Sequence, residues 1–281
     1  MRDFKNKVAV VTGAASGIGR ALAEHCGDEG MAVVLADVDE TALQKLKSEL
    51  EGRNVKVLAV PTDVANAAAV NNLAAVTVDT FGSVDLLFNN AGVLINGFSW
   101  EKNEQEWDWI LGINLKGVIN GARSFIPGML QRGTPAHIVN TASLAGLLAA
   151  PLMGPYTVGK QAVVALSETL HYELQSIGAP VKVSVLCPGQ VATNILRSEE
   201  RSPVQGMEKK AAQQQLEQFL RGGIDAGMSP QQCAEIVFDA IRTEKFWIFP
   251  HPEFKPAYQL RADGVMSETN PVYQNLQDLI D

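Results

Sequence analysis

The sequence predicts a doubly wound α/β fold, a parallel sheet of about seven strands flanked by helices on both faces. Three observations support it. Seven short apolar runs recur along the chain and alternate with stretches of helical periodicity. A glycine-rich turn separates the first run from the first helical stretch. No Pro/Ser-rich linker or block of charge interrupts the 281 residues, so residues 1–281 are expected to form one domain.

The first two runs, KVAVV (7–11) and AVVLA (32–36), are continuously apolar rather than alternating, which suits strands covered on both faces. Between them TGAASGIG (12–19) turns the chain into a helix, and Asp37 ends the second run. The series continues with VKVLAV (55–60), DLLFN (85–89), HIVNTA (137–142), KVSVLC (182–187) and FWIFP (246–250). DWILGINLKGVI (108–119) reads as an apolar helix that Asn114 interrupts, and asparagine is a poor helix former. Trp107 and Trp109 straddle that helix, to fill the core or to meet another subunit. PYTVGKQAVVALSETLHYEL (155–174) keeps helical apolar spacing. Residues 190–232 are polar, with charges at 199–201 and glycines at 222 and 223, and are expected to form a mobile substrate lid. AAQQQLEQFL (211–220) holds good helix formers, so a plain surface helix is the alternative. The tail, 251–281, either closes the pocket or contacts a second subunit.

Gly13, Gly17 and Gly19 give the first turn the spacing G-x-x-x-G-x-G between a strand and a helix. Residues without Cβ allow a sharp exit from the strand, let backbone N–H groups approach a pyrophosphate, and aim the helix N-terminus at that anion. The unit is of Rossmann type. Asp37 can accept hydrogen bonds from both hydroxyls of an adenosine ribose and would repel a 2′-phosphate. Ala14, Ala15 and Ser16 in the turn and Val38 after the aspartate supply no cation for such a phosphate, so the expected cofactor is NAD rather than NADP. Tyr156 and Lys160, four residues apart, project from one helical face. A free tyrosine titrates near ~10 and a neighbouring ammonium favours the phenolate, which makes the pair a proton-transfer device for an alcohol or ketone.

Other classes are excluded. A formal charge of −8 without a basic patch argues against nucleic acid or an anionic membrane surface. The apolar run that ends at Thr12 is too short for a signal h-region or a membrane span and no long uninterrupted one appears later, so a cytoplasmic location is expected. Cys26, Cys187 and Cys233 have no CxxC spacing and read as small buried hydrophobes. His25, His137, His171 and His251 show no metal-ligand spacing and are expected as surface or helix residues, so no metal is expected. No G-x-S-x-G elbow accompanies Ser16 or Ser143.

Over about residues 5–195 these motifs, in this order, resemble those of the short-chain dehydrogenase/reductases. TGAASGIG, with Ser16 and Ile18, matches the family's cofactor loop. Asp63 and Val64 in PTDVAN resemble its adenine-contact pair, and NNAG (89–92), with Asn90, Ala91 and Gly92, its strand-four motif. Pro188 and Gly189, followed by Val191 and Thr193, match its nicotinamide-side turn; Asn114, Ser143, Tyr156 and Lys160 match its catalytic set. The stretch 108–139 is also similar to bacterial Cα-dehydrogenases acting on aryl secondary alcohols. The resemblance implies that Tyr156 is the general acid or base, that Lys160 lowers its pKa and binds the nicotinamide ribose, that Ser143 holds the substrate oxygen, and that Asn114 supports a water relay to Lys160.

It implies NAD-dependent interconversion of a secondary alcohol and a ketone. Val93–Phe98 and Leu144–Met153 are poor in fixed charge, which suits an apolar or aromatic small molecule. A 3-oxoacyl carrier-protein or hydroxysteroid reductase is the same-class alternative, and a non-catalytic NAD(H) sensor the different-class one. The resemblance further implies a homo-oligomer, a tetramer or possibly a dimer, built partly from the Trp107 and Tyr156 helices, with Gly112, Gly117 and Gly121 permitting close approach.

Overall fold

The computed structural model describes residues 1–204 and 209–273. All seven apolar runs become strands: β1 (Val8–Thr12), β2 (Ala32–Asp37), β3 (Val57–Pro61), β4 (Leu86–Asn89), β5 (Ala136–Thr141), β6 (Val181–Leu186) and β7 (Trp247–Ile248). They pair in parallel in the order β3-β2-β1-β4-β5-β6-β7. The chain builds outward from β1 to β3, then crosses back to place β4 on the other side of β1. The strand order therefore reverses between β1 and β4, and a crevice opens there beyond the carboxyl ends.

Alternation within each strand divides the core. Ala9, Val11, Val33, Leu35 and Phe88 pack on one face with α1 (Gly17–Asp28), α2 (Glu40–Glu51) and α8 (Pro230–Arg242). Val8, Val10, Val34 and Leu87 pack on the other with α3 (Ala67–Phe81), α5 (Gly117–Arg132) and α6 (Gly154–Ser176). Between strands and α6 runs a buried polar line: Asn89 Nδ2 donates to Asn140 Oδ1 at 2.9 Å, and Asn140 Nδ2 donates to Ser167 Oγ at 3.0 Å.

The apolar stretch 108–119 is not one regular helix. α4 (Glu104–Leu111) passes into a single π-helical turn, Gly112–Lys116, before α5 begins, and Asn114 lies inside that turn. α4 starts from a capping box in which Asn103 and Glu106 satisfy each other's backbone N–H groups. Within the segment expected to be a lid, Ile195–Arg201 forms a 3₁₀ helix and α7 (Ala211–Asp225) an amphipathic helix; 205–208 lie outside the described residues. The tail forms a short 3₁₀ turn, Pro252–Phe254, and α9 (Lys255–Met266), while 274–281 lie outside the described residues.

Two expectations are corrected. Gly117 and Gly121 do not make room for a neighbouring subunit: a Cβ on Gly117 would stand 2.8 Å from Val64 Cγ2, and one on Gly121 would collide with the Asn89 side chain. Both are buried against their own chain. The histidines are not all surface or helix residues either. His137 lies in β5, buried, with Nε2 2.7 Å from Ser184 Oγ, and burial above all pushes its pKa down to about 3. His251 is also buried, just beyond β7.

Gly121→Ala is expected to lower stability to denaturant by about 2–4 kcal/mol, through overpacking and displacement of Asn89 from its hydrogen bond, with no change in oligomeric state by light scattering. A change of oligomeric state without loss of stability would restore the intersubunit role.

Candidate functional site

At the exit of β1 the chain must turn at once and let two backbones nearly touch. Gly13 does this with φ +66°, and a Cβ there would lie 2.8 Å from Ala91 Cα. Gly19, in the first turn of α1, sits directly on the Gly13 carbonyl and has no room for a side chain. Ser16 is the N-cap of α1 but makes no side-chain cap, so the first N–H groups of the helix are left for an anion in the turn. Asp37, at the end of β2, accepts the Ala15 N–H at 3.0 Å and the Asp39 N–H at 3.1 Å, which orients its carboxylate beside the loop. These features fit a dinucleotide: a Cβ-free cradle, an uncapped helix N-terminus and an aligned acid.

The loop is wired to the neighbouring strands. Thr12 Oγ1 donates to the Phe88 carbonyl at 3.1 Å and accepts the N–H groups of Asn90 and Ala91 at 2.9 and 3.1 Å. Asn90 Nδ2 donates to the Thr12 carbonyl at 3.1 Å, while its Oδ1 accepts from Thr141 Oγ1 at 3.2 Å. The Thr141 carbonyl accepts from Lys160 Nζ at 2.8 Å. Asp63 Oδ1 accepts the Ala65 N–H at 2.9 Å, and the Val64 carbonyl accepts from Asn120 at 2.9 Å, fixing the loop after β3.

Tyr156 and Lys160, on the first turns of α6, are both buried. Ser143 leaves β5 in extended conformation, caps the 3₁₀ turn Leu144–Gly146 through the Ala145 N–H, and hydrogen-bonds Tyr156. Burial raises the Tyr156 pKa above its ordinary value, and the Ser143 hydrogen bond pulls the other way. The expected lowering by Lys160 is not found. The lysine instead has its own pKa pushed down to about 8 by burial, with its ammonium directed to the Thr141 carbonyl. The Asn114 side chain is occupied by the strand-four loop: its Oδ1 accepts the Val93 N–H and its Nδ2 donates to the Val93 carbonyl, each at 2.8 Å. It clamps the backbone after NNAG close to Lys160: a Cβ on Gly92 would lie 3.3 Å from Lys160 Nζ and 3.4 Å from Asn114 Oδ1.

After β6, Pro188 accepts the Leu144 N–H through its carbonyl at 2.9 Å, Val191 is buried, and the Thr193 methyl lies 3.0 Å from where a Gly17 Cβ would stand. The turn therefore abuts the glycine loop.

One cavity of about 1710 Å³ collects these residues. Gly13, Ser16, Gly17, Ile18, Asp37, Asp63, Val64, Asn90, Ala91, Gly92, Ser143, Tyr156, Lys160, Pro188, Gly189, Val191 and Thr193 all line it; Gly19 and Asn114 stand behind the wall. Phe219 and Leu220 of α7 and Leu260 of α9 close its far side. Sequence patterns missed Thr12, Thr141 and His251. A polar residue ending an apolar strand signals the first two; nothing in the spacing signals the histidine.

The profile of the short chain dehydrogenase family matches residues 7–203. A CLA biosynthesis dehydrogenase/reductase of Lactiplantibacillus plantarum is 35% identical over 96% of this chain and 97% of its own length. A C alpha-dehydrogenase of Sphingobium sp. (strain NBRC 103272 / SYK-6) is 31% identical over 97% and 89%. A short chain dehydrogenase/reductase of Burkholderia phymatum, crystallised in complex with NAD, superposes with a TM-score of 0.95 at 42% identity, covering 98% of this chain and 99% of that one.

Because the folded-state pKa of Lys160 lies near 8 and the unfolded value near 10.5, the unfolded chain holds the extra proton between them, and this group's contribution to stability rises with pH across that window. The cofactor-free Lys160→Met variant is expected to exceed the parent in stability by up to about 3 kcal/mol at neutral pH, an advantage that shrinks as pH rises through the window. A pH-independent difference in chemical denaturation would contradict the assignment.

Proposed function

The chain is an NAD-dependent oxidoreductase of the short-chain dehydrogenase family, and we propose that it interconverts a secondary alcohol and a ketone of apolar or aromatic character. The observation that carries this is the meeting of Ser143, Tyr156 and Lys160 with the glycine loop in one cavity. When bound, NAD supplies the hydride acceptor for oxidation and NADH the donor for reduction. Asp37 would hold the adenosine ribose, Asp63 and Val64 the adenine, and the turn of Gly13, Ser16, Gly17, Ile18 and Gly19 the pyrophosphate. Asn90, Ala91 and Gly92 would border the cofactor, and Pro188, Gly189, Val191 and Thr193 would face the carboxamide.

Ser143 would hold the substrate oxygen while Tyr156 takes the hydroxyl proton during oxidation and returns it during reduction. Burial keeps the phenol protonated at neutral pH, so reduction has its acid in place and oxidation gains as pH rises. Lys160 would bind the nicotinamide ribose; Asn114, through Val93, is a positioning residue. Residues 190–204 and 209–232 would serve as the lid and 251–273 as the closing segment of a single domain, because α7 and α9 both line the cavity.

The substrate end of the cavity is apolar, with Val93, Leu94, Met153, Leu216 and Phe219 on its walls. Arg201 and Arg261 also reach the lining and favour a second reading, a 3-oxoacyl or hydroxyacyl chain on a carrier arm whose phosphate they would pair. A cytoplasmic homo-oligomer, tetramer or dimer, is supported by Val158 and Tyr172 exposed on α6 and by three unpaired, buried thiols.

Nicotinamide absorbance with aryl, steroid, alicyclic and hydroxyacyl secondary alcohols is expected to show turnover with NAD and at least about tenfold less with NADP. Tyr156→Phe is expected to lose about 100-fold or more in turnover while binding NADH as the parent does. Retained turnover in that variant would overturn the proton-transfer role, and silence across all four classes despite tight NADH binding would favour the sensor.

A further inference from the structure

His251 opens the tail whose role the sequence left open, and its ring is buried against the turn after β6. Nδ1 accepts the Gly189 N–H at 3.0 Å, and Nε2 lies 3.1 Å from the Gln190 carbonyl oxygen. An amide N–H only donates and a carbonyl only accepts, so the two partners dictate one neutral tautomer: Nδ1 bare, Nε2 carrying the hydrogen. The contact is also steric. A Cβ on residue 189 would stand 2.9 Å from His251 Cγ and 3.1 Å from Leu144 Cδ1, so the ring and the glycine require each other. The Gln190 carbonyl accepts the Met228 N–H at 3.1 Å as well, and Met228 returns its carbonyl to the Ala192 N–H at 2.9 Å. The imidazole thus grips the Pro188–Gly189 peptide by its N–H and the Gln190–Val191 peptide by its carbonyl, the two that flank the Gly189–Gln190 peptide, just before Thr193.

We propose that His251 is a positioning residue for the nicotinamide half of the cofactor, holding the Pro188–Gly189 and Gln190–Val191 peptides so that Val191 and Thr193 face the carboxamide. This rests on the placement of the nicotinamide at that turn. Removing the acceptor for a part-buried N–H costs enough to loosen the turn locally, while the glycine loop, tied to Asp37 through the Ala15 N–H, keeps its own hydrogen bonds.

The probes are NAD and ADP-ribose, which shares every part of NAD except the nicotinamide. His251→Phe is expected to raise the NAD dissociation constant about tenfold and to leave ADP-ribose within about twofold of the parent. His251→Asn, whose Oδ1 replaces Nδ1 as acceptor, is expected to recover most of the NAD affinity, and His251→Gln, which keeps only the outer N–H, is not. An unchanged NAD constant in His251→Phe, or an equal fall for both ligands, would overturn the proposal. Should the Phe variant fail to fold, the Asn and Gln variants decide, and equal NAD to ADP-ribose ratios in the two would overturn it. Thr193→Ala tests the underlying placement separately: if it leaves NAD affinity unchanged, the nicotinamide does not sit at this turn; if it weakens NAD while His251→Phe does not, the role of His251 alone fails.

Discussion

The site hangs on a line of hydrogen bonds running across the carboxyl ends of three strands: Thr12 of β1 to Asn90 after β4, Asn90 to Thr141 of β5, and Thr141 to Lys160 of α6. Parallel strands end in unpaired backbone groups, and at the point where strand order reverses nothing in the sheet satisfies them. Side chains do so here. Thr12 bonds three backbone groups through one hydroxyl, and the Asn90 amide bonds in both directions along the rim. The glycine loop, the strand-four motif and the lysine are held as one unit, which is why residues far apart in sequence line one cavity.

Burial then sets the chemistry. It pushes the Tyr156 phenol up and the Lys160 ammonium down to about 8, so both groups are drawn toward their neutral forms. The hydrogen bond from Ser143 partly reverses the first shift. A proton-transfer group needs a pKa near its working range; enclosure alone moves the Tyr156 phenol away from that range, and Ser143 is the group that opposes the shift. The cost is a buried charge at neutral pH, a penalty commonly retained where function requires it.

Much of this was legible in the residues. Continuous apolar runs gave all seven strands because strands covered on both faces need no alternation. The cofactor loop and the α6 pair were legible because their spacing is local. What failed depended on partners distant in sequence. Asn114 was recognised as out of place, but its use, a π-helical turn clamping Val93, depends on a backbone segment twenty-one residues away. Gly117 and Gly121 announce a close approach without saying to what, and the neighbours are Val64 and Asn89. His137 and His251 carry no periodic signal; their partners, Ser184 and Gly189, reach them only through the fold.

The most direct test of the rim-spanning hydrogen-bond line is calorimetric titration of NAD into the Asn90→Ala variant. Breaking that line is expected to weaken NAD binding about tenfold or more in a chain that stays folded. Binding of NAD with the affinity of the parent would contradict it, and would mean that the loop and the catalytic helix hold their places independently.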